Sequence, residues 1–169
     1  TNKAAREMRE RISAMAGDDV ASRLWMGTFH SIFARILRNH AGLLGFKSSY
    51  TIYDTADSRA LIRSIVRAMD LDEKIYKPAA IACDISTAKN ALISPEAYSL
   101  DRELTEADRR ARRPRTAEIY KAYRDRCHTA DAMDFDDLLY HTNVLMRDHP
   151  EVLRHYQEFF RYVLVDEYQ

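Results

Sequence analysis

Apolar residues recur along most of the chain at spacings of three and four, which is the pattern of amphipathic α-helices. The segment 61–69 shows it clearly, in a helix that Asp54 or Thr55 can cap. Pro78 and Pro150 stand where a first-turn proline begins a helix. Further predicted helices cover residues 3–15, 32–37 and 116–132, and helical segments also begin at Ser94 and Asp134.

Three short runs are instead typical of β-strands: residues 24–26, 50–53 and 162–165. The first and the last are continuous apolar runs, as in strands that are buried on both faces of a parallel sheet. A long helical segment separates them. The pattern therefore predicts a mainly α chain, in which a helical domain is inserted between two strands of one parallel sheet.

The segment 100–115 has a different character, because it is polar and contains Pro114 and five arginines between Arg109 and Arg115. It is expected to be an exposed, partly mobile connection. The arginines could contact phosphates, but a solvated run of charge is the commoner explanation. Acidic residues of the same segment partly offset the charge: Glu103, Glu106 and Asp108.

Composition narrows the class of protein. Apolar residues make up 46% of the chain and charged residues 31%, as in ordinary globular domains. Basic and acidic residues both number 26, so a nucleic-acid partner must be argued from local clusters rather than from net charge. Cys83 and Cys127 lack the spacing of a metal site. With no apolar run long enough to cross a bilayer, a cytoplasmic protein without a membrane partner is expected.

Adjacent carboxylates follow the last apolar run, at Asp166 and Glu167. In nucleotide-hydrolysing motors such a pair lies at the carboxyl edge of the sheet, where the ligand binds. The first carboxylate can hold Mg²⁺ through water, and the second can orient and deprotonate the attacking water. Taken alone the signal is weak, because Asp-Glu after apolar residues is common.

Three upstream motifs add to this pair. Residues 1–8 begin Thr-Asn-Lys-Ala-Ala, residues 27–31 read Gly-Thr-Phe-His-Ser, and residues 133–139 read Met-Asp-Phe-Asp-Asp-Leu-Leu. Together with residues 164–169, Leu-Val-Asp-Glu-Tyr-Gln, and in this order, they resemble the superfamily 1 DNA helicases of the UvrD/PcrA/Rep type. The resemblance extends over the whole chain.

The resemblance implies roles for the C-terminal residues. Asp166 matches the residue that binds the Mg²⁺ of the nucleotide cofactor, and Glu167 matches the catalytic base. Gln169 matches a glutamine that senses the γ-phosphate and couples it to DNA. Tyr168 stands where many relatives have phenylalanine, which is a mild departure.

The same resemblance implies two segments that bind single-stranded DNA. The first segment, which would contact the DNA backbone, consists of Thr1, Asn2 and Lys3. The second, which would cradle the strand with an aromatic ring against a base, consists of Thr28, Phe29 and His30. A helix N-terminus offers free N–H groups to phosphates, which suits the first segment. The alternative for the second is structural, with Phe29 in a core and Thr28 or Ser31 as a helix cap.

The carboxylates Asp134, Asp136 and Asp137 could suggest a metal site. A helix cap is the better interpretation, because Asp134 precedes an apolar periodic segment and acidic residues suit a first helical turn. No catalytic role is assigned to them.

The resemblance implies a mainly α fold, with a helical insert subdomain between two incomplete pieces of a RecA-like α/β domain, the fold of P-loop NTPases. The expected parts are residues 1–30 of the RecA-like domain, the helical insert at 31–132, and the return to the RecA-like domain at 133–169. The expected parent is an ATP-dependent 3′–5′ DNA helicase of the bacterial cytoplasm and nucleoid, acting in DNA repair or replication. Its cofactors would be ATP and Mg²⁺, and its partners single-stranded DNA and single-strand/duplex junctions.

The glycine-rich phosphate loop ending in Gly-Lys-Ser/Thr is absent from the 169 residues, since none of the four glycines precedes such a lysine. The chain is therefore interpreted as a fragment, which by itself is expected neither to bind ATP and Mg²⁺ nor to hydrolyse ATP. Two alternatives stay open. One is the helicase subunit of a nuclease-coupled recombination complex, and the other is a non-enzymatic helical DNA-binding or interaction module.

Overall fold

The computed structural model describes the chain from residue 2 to residue 166, with side chains from residue 3 onward. Within that range helices dominate, as predicted. The first elements are α1 (Asn2–Ala16), α2 (Asp18–Arg23), α3 (Phe29–His40), a 3₁₀ turn (Ala41–Leu44), β1 (Thr51–Tyr53) and α4 (Thr55–Ala68). They are followed by α5 (Pro78–Asn90), α6 (Pro95–Leu100), α7 (Arg102–Arg110), α8 (Thr116–Thr129), β2 (Ala132–Asp134), α9 (Phe135–Asp148) and α10 (Pro150–Phe159).

The helix boundaries follow the predicted caps. Asp54 caps α4, because its carboxylate accepts the N–H groups of Ala56 and Asp57 at 2.7 and 2.8 Å. The Asp57 side chain accepts the N–H of Asp54 in return, which completes a capping box. Pro78 and Pro150 lie in the first turns of α5 and α10. These helix starts are confirmed.

Most residues at 100–115 are exposed, as predicted, but the prediction of an irregular connection was wrong for residues 102–110, which form the helix α7. Asp101 caps α7 by accepting the N–H groups of Glu103 and Leu104 at 2.9 and 3.1 Å. Asp108, on the same helix, is buried and accepts the hydroxyl of Tyr98 at 3.1 Å. The cap and this buried contact hold a helix where composition alone indicated a loop.

The strand predictions were right at one of three places. Residues 51–53 form β1, which pairs in parallel with β2 so that Thr51, Ile52 and Tyr53 face Ala132, Met133 and Asp134. Residues 24–26 and 162–165 form no strand, and the predicted sheet between them is absent from the described residues. An apolar run forms a strand only when another strand pairs with it. Neither of these two runs has a paired strand within residues 2–166.

The described residues build two hydrophobic cores. The first, called the α5 core, lies between α4, α5, α6 and α8 and is centred on Ile62, Ile81 and Ile119. The second, called the α9 core, lies between α3, α9 and α10 and includes Leu37 and Leu138. Strand β1 lines both cores, because Tyr53 packs against the first and Ile52 against the second, and Met133 of β2 belongs to the second. The divisions at residues 30 and 132 stay predictions.

None of the helices between residues 2 and 159 combines the length and the apolar character needed to cross a bilayer.

Candidate functional site

The N-terminus of α3 presents an exposed aromatic ring. Thr28 caps this helix by accepting the N–H of Ser31 at 3.3 Å, and the Ser31 hydroxyl donates to the Thr28 carbonyl at 2.8 Å. Phe29 is 57% exposed, and its ring centroid lies 5.9 Å from that of Phe33 on the same helix. The cap at Thr28 is confirmed, whereas Phe29 is not a core residue in this structure.

His30 extends this surface towards α9. Its ring meets Phe135 nearly edge to face, with centroids 5.8 Å apart and planes at 79°. Phe135 begins α9 and is 50% exposed. Phe29, His30 and Phe135 are called the aromatic patch below. Sequence reasoning did not assign Phe135 a binding role, although an aromatic residue directly after a helix cap is placed to lie at the surface.

The other predicted DNA-binding segment opens α1. Lys3 lies exposed in its first turn and pairs weakly with Glu7 at 3.9 Å. Arg9 donates to the carbonyl of Met26 at 3.2 Å, and this tethers α1 to the chain just before Thr28. Thr1 and the side chain of Asn2 lie outside the described part of the chain, so their roles stay predictions.

The predicted metal and catalytic residues lie at the end of the chain. Asp166 follows the exposed run 162–165 and is itself exposed. Glu167 and Gln169 lie outside the described residues. Between residues 2 and 166 no group of three or more His, Cys, Asp or Glu side chains is placed to hold a metal ion. The assignment of Asp166 therefore depends on its motif.

A buried ionic network lies directly behind the aromatic patch. Lys89, near the end of α5, is only 3% exposed. Its Nζ lies 2.7 Å from Asp134 Oδ2 and 2.7 Å from Asp137 Oδ1. The hydroxyl of Tyr123 donates to the same oxygen of Asp134 at 2.8 Å. The second oxygens of the two carboxylates accept each other's backbone N–H, so the network also closes the capping box of α9.

Burial and charge oppose each other in this network. Burial alone would lower the pKa of Lys89, but the two carboxylates raise it, so the lysine keeps its charge. Burial raises the pKa of Asp137 to about 6, against the charge of Lys89. Burial also tends to raise the pKa of Asp134, but the charge of Lys89 and the hydrogen bonds outweigh burial and lower this pKa. Burial raises the pKa of Tyr123, so its hydroxyl remains a donor.

The full chain is similar to known DNA helicases. The sequence model of the UvrD/REP helicase N-terminal domain matches residues 1–169. The chain belongs to the UvrD/REP helicase family. It is 45% identical to the ATP-dependent DNA helicase UvrD1 of Mycobacterium leprae and 41% identical to the ATP-dependent DNA helicase PcrA of Leuconostoc citreum. Each comparison covers 100% of this chain and 22% of the relative, so the chain spans about a fifth of their length.

Membership of the UvrD/REP helicase family confirms the resemblance that the four motifs indicated. The match runs through residue 169, so Asp166 and Glu167 lie within the matched region, and their individual roles stay predictions. In this UvrD/REP chain the motif at 133–139 supplies a helix cap, because the carboxylates of Asp134 and Asp137 bind backbone N–H groups and Lys89. The preference for a cap over a metal site is thereby supported.

The arginine group of this UvrD/REP chain is partly neutralised. The side chain of Arg113 is 16% exposed and pairs with Asp84 of α5 at 2.9 Å. Exposed pairs also join Arg109 to Glu106 at 2.8 Å and Arg115 to Glu118 at 2.7 Å. These contacts favour a solvated, internally paired charge run over a dedicated phosphate site.

Proposed function

We propose that this chain is a segment of an ATP-dependent DNA helicase that moves 3′ to 5′ on single-stranded DNA and unwinds duplexes during repair or replication. We place the parent in the bacterial cytoplasm. The observation that carries the proposal is the exposed Phe29 at the capped start of α3, within a chain whose relatives are named ATP-dependent DNA helicases. An exposed ring on a rigid helix end is a ready stacking surface for a base.

The aromatic patch gives the strand more than one ring to contact. Phe29 and Phe135 are each at least half exposed, and His30, which follows Phe29 in the chain, lies against the Phe135 ring. Stacking on such faces tolerates any base, as a motor that moves along DNA requires. Lys3 and the N–H groups at the start of α1 would bind the backbone phosphates, together with Thr1 and Asn2.

In the parent, Asp166 would hold Mg²⁺ through water and Glu167 would accept a proton from the attacking water. Gln169 would sense the γ-phosphate. Bound Mg²⁺ would neutralise the charge that develops on the phosphates of ATP. The phosphate loop is not part of the 169 residues, so the isolated chain is proposed neither to hold ATP nor to hydrolyse it.

The DNA-binding part is tested by replacing Phe29 with alanine in the full-length parent. Loss of one stacked base should weaken single-strand binding by about 1–3 kcal/mol. Fluorescence anisotropy with a labelled oligothymidine at one fixed salt concentration measures this. Phe159→Ala is the matched control, because Phe159 is 52% exposed but packs against Trp25 instead of the aromatic patch. Equal affinities of the two variants would contradict the proposal.

The catalytic part is tested with Glu167→Gln in the same parent. DNA-stimulated ATP hydrolysis should be lost while ATP binding is kept, because the amide preserves shape but cannot accept the proton. Hydrolysis is followed by phosphate release and binding with a fluorescent ATP analogue. Retained hydrolysis would remove Glu167 from the role of base.

A further inference from the structure

We infer that Lys89 and Asn90, the last two residues of α5, are positioning residues that hold Phe135 in the aromatic patch. Neither residue touches the patch itself, so each would act through the start of α9. This inference rests on the proposed function, because it concerns how the DNA-binding surface is kept in place.

The side chains of Lys89 and Asn90 bind the two chain neighbours of Phe135. Lys89 binds the carboxylate of Asp134, the residue before Phe135, at 2.7 Å. Asn90 donates from Nδ2 to Oδ1 of Asp136, the residue after it, at 3.2 Å. The backbone of Phe135 is therefore fixed on each side by a side chain from the end of α5.

Phe135 in turn contacts the next ring of the aromatic patch. The ring of His30 lies edge to face against Phe135, and His30 directly follows Phe29 on α3. Edge-to-face pairs depend on centroid distance and ring angle. A shift of the α9 N-terminus would therefore alter the spacing between the exposed rings.

The helices α5 and α9 belong to different cores. On α5, Ile81 and Ile85 pack into the α5 core, whereas Leu138 and Leu145 of α9 pack into the α9 core. The contacts of Lys89 cross from one core to the other. Lys89 therefore joins the two cores at Asp134, the residue before Phe135.

A double-mutant cycle in the full-length parent tests this inference. Phe135→Ala should weaken binding to oligothymidine about 30-fold, the middle of the range for one stacked base. Lys89→Met should also weaken it, by several-fold. The double variant should bind no more weakly than Phe135→Ala, within a factor of about two, because the positioning effect has nothing left to act on. If the fold-losses in affinity of the two single variants multiplied in the double variant, the inference would be overturned.

Two further variants separate positioning from general loss of stability. Asn90→Ala removes an exposed hydrogen bond, so it should keep the melting temperature while weakening DNA binding about 2-fold. Arg113→Met breaks an ion pair within the helical part and should lower the melting temperature without changing DNA affinity. The inference would be overturned if Arg113→Met lost as much DNA affinity as Lys89→Met. It would also be overturned if Lys89→Met and Asn90→Ala both kept the affinity of the parent.

The same data distinguish failure of the inference from failure of the proposed function. If Phe29→Ala and Phe135→Ala both leave single-strand affinity unchanged, the aromatic patch does not bind DNA and both ideas are wrong. If both alanine variants bind more weakly and the two α5 variants bind normally, only the positioning role is wrong.

Discussion

The strongest stability prediction concerns replacement of Lys89 by methionine. Methionine keeps most of the length of the side chain but removes its charge. The carboxylates of Asp134 and Asp137 then stay buried without their cation, with side chains that are only 12% and 9% exposed. Breaking a buried pair in this way leaves uncompensated charge in a medium that solvates it poorly.

The magnitude follows from the burial. Removing one partner of a buried ion pair costs about 3–5 kcal/mol of the free energy of unfolding. The chain offers a matched control, because Lys121 pairs with Asp125 at 2.8 Å but its side chain is 60% exposed. Lys121→Met makes the same chemical change on the surface, where such pairs contribute about 0–1 kcal/mol.

The loss in Lys89→Met should also depend on pH. Without the lysine, burial dominates at both carboxyls, so the folded-state pKa of Asp134 rises above the unfolded value near 4 and that of Asp137, already raised to about 6, rises further. A carboxyl with a raised folded pKa stabilises the fold below the unfolded pKa, and that contribution is lost as the pH rises through the folded pKa. The deficit relative to the parent chain should therefore be smaller at pH 5 than at pH 8.

Urea unfolding followed by circular dichroism measures these differences at both pH values for the parent chain and for each methionine variant. Asp137→Asn in the Lys89→Met background should recover part of the loss, because one buried charge is then removed. If Lys89→Met were as stable as Lys121→Met at pH 8, the buried network would contribute nothing, and the argument from burial would be refuted.

Two further predictions concern other sites. Gly45→Ala should destabilise the fold by about 1 kcal/mol or more, because Gly45 has φ +79° and an added Cβ would lie 2.9 Å from Nε2 of His128. Gly42→Ala is the control, because a Cβ there meets nothing within 4 Å, and it should be close to neutral in the same urea titration. Burial lowers the pKa of His141 to about 4. The neutral imidazole therefore contributes to the free energy of unfolding above the unfolded pKa of 6.5, and this contribution is lost as the pH falls towards 4. Relative to His141→Gln, the parent chain should lose up to about 3 kcal/mol between pH 7 and pH 4, and parallel stability curves would contradict this.

The sequence predicted most of the helices because their starting signals are local. A cap such as Asp134, or a first-turn proline such as Pro150, acts within four residues of the helix that it begins. The helix α7 was missed although Asp101 is a cap of the same kind, because the arginine-rich composition outweighed that signal. The apolar run at 162–165 predicted a strand, but a strand needs a partner, and pairing is a property of the fold rather than of the run.

The candidate site was predictable only in part, for the same reason. Thr28 and Phe29 were identified from a motif, and the structure then placed the ring at the surface. The role of Lys89 could not be read from the chain, because its partners lie 45 or more residues away and a lysine near a helix end is ordinarily solvated. Only the packing of α5 against α9 removes it from water.

The two capping boxes of this fold show how far local sequence determines chemistry. β1 and β2 are paired neighbours, and each leads through an aspartate cap into a helix with a second aspartate three residues on. Asp54 and Asp57 are exposed, so their capping box stabilises the start of α4 without placing a buried charge there. Asp134 and Asp137 make the same hydrogen bonds but are buried against Lys89. The same local motif is thus a simple cap at one strand end and, at the other, a charged junction between two cores directly behind the aromatic patch.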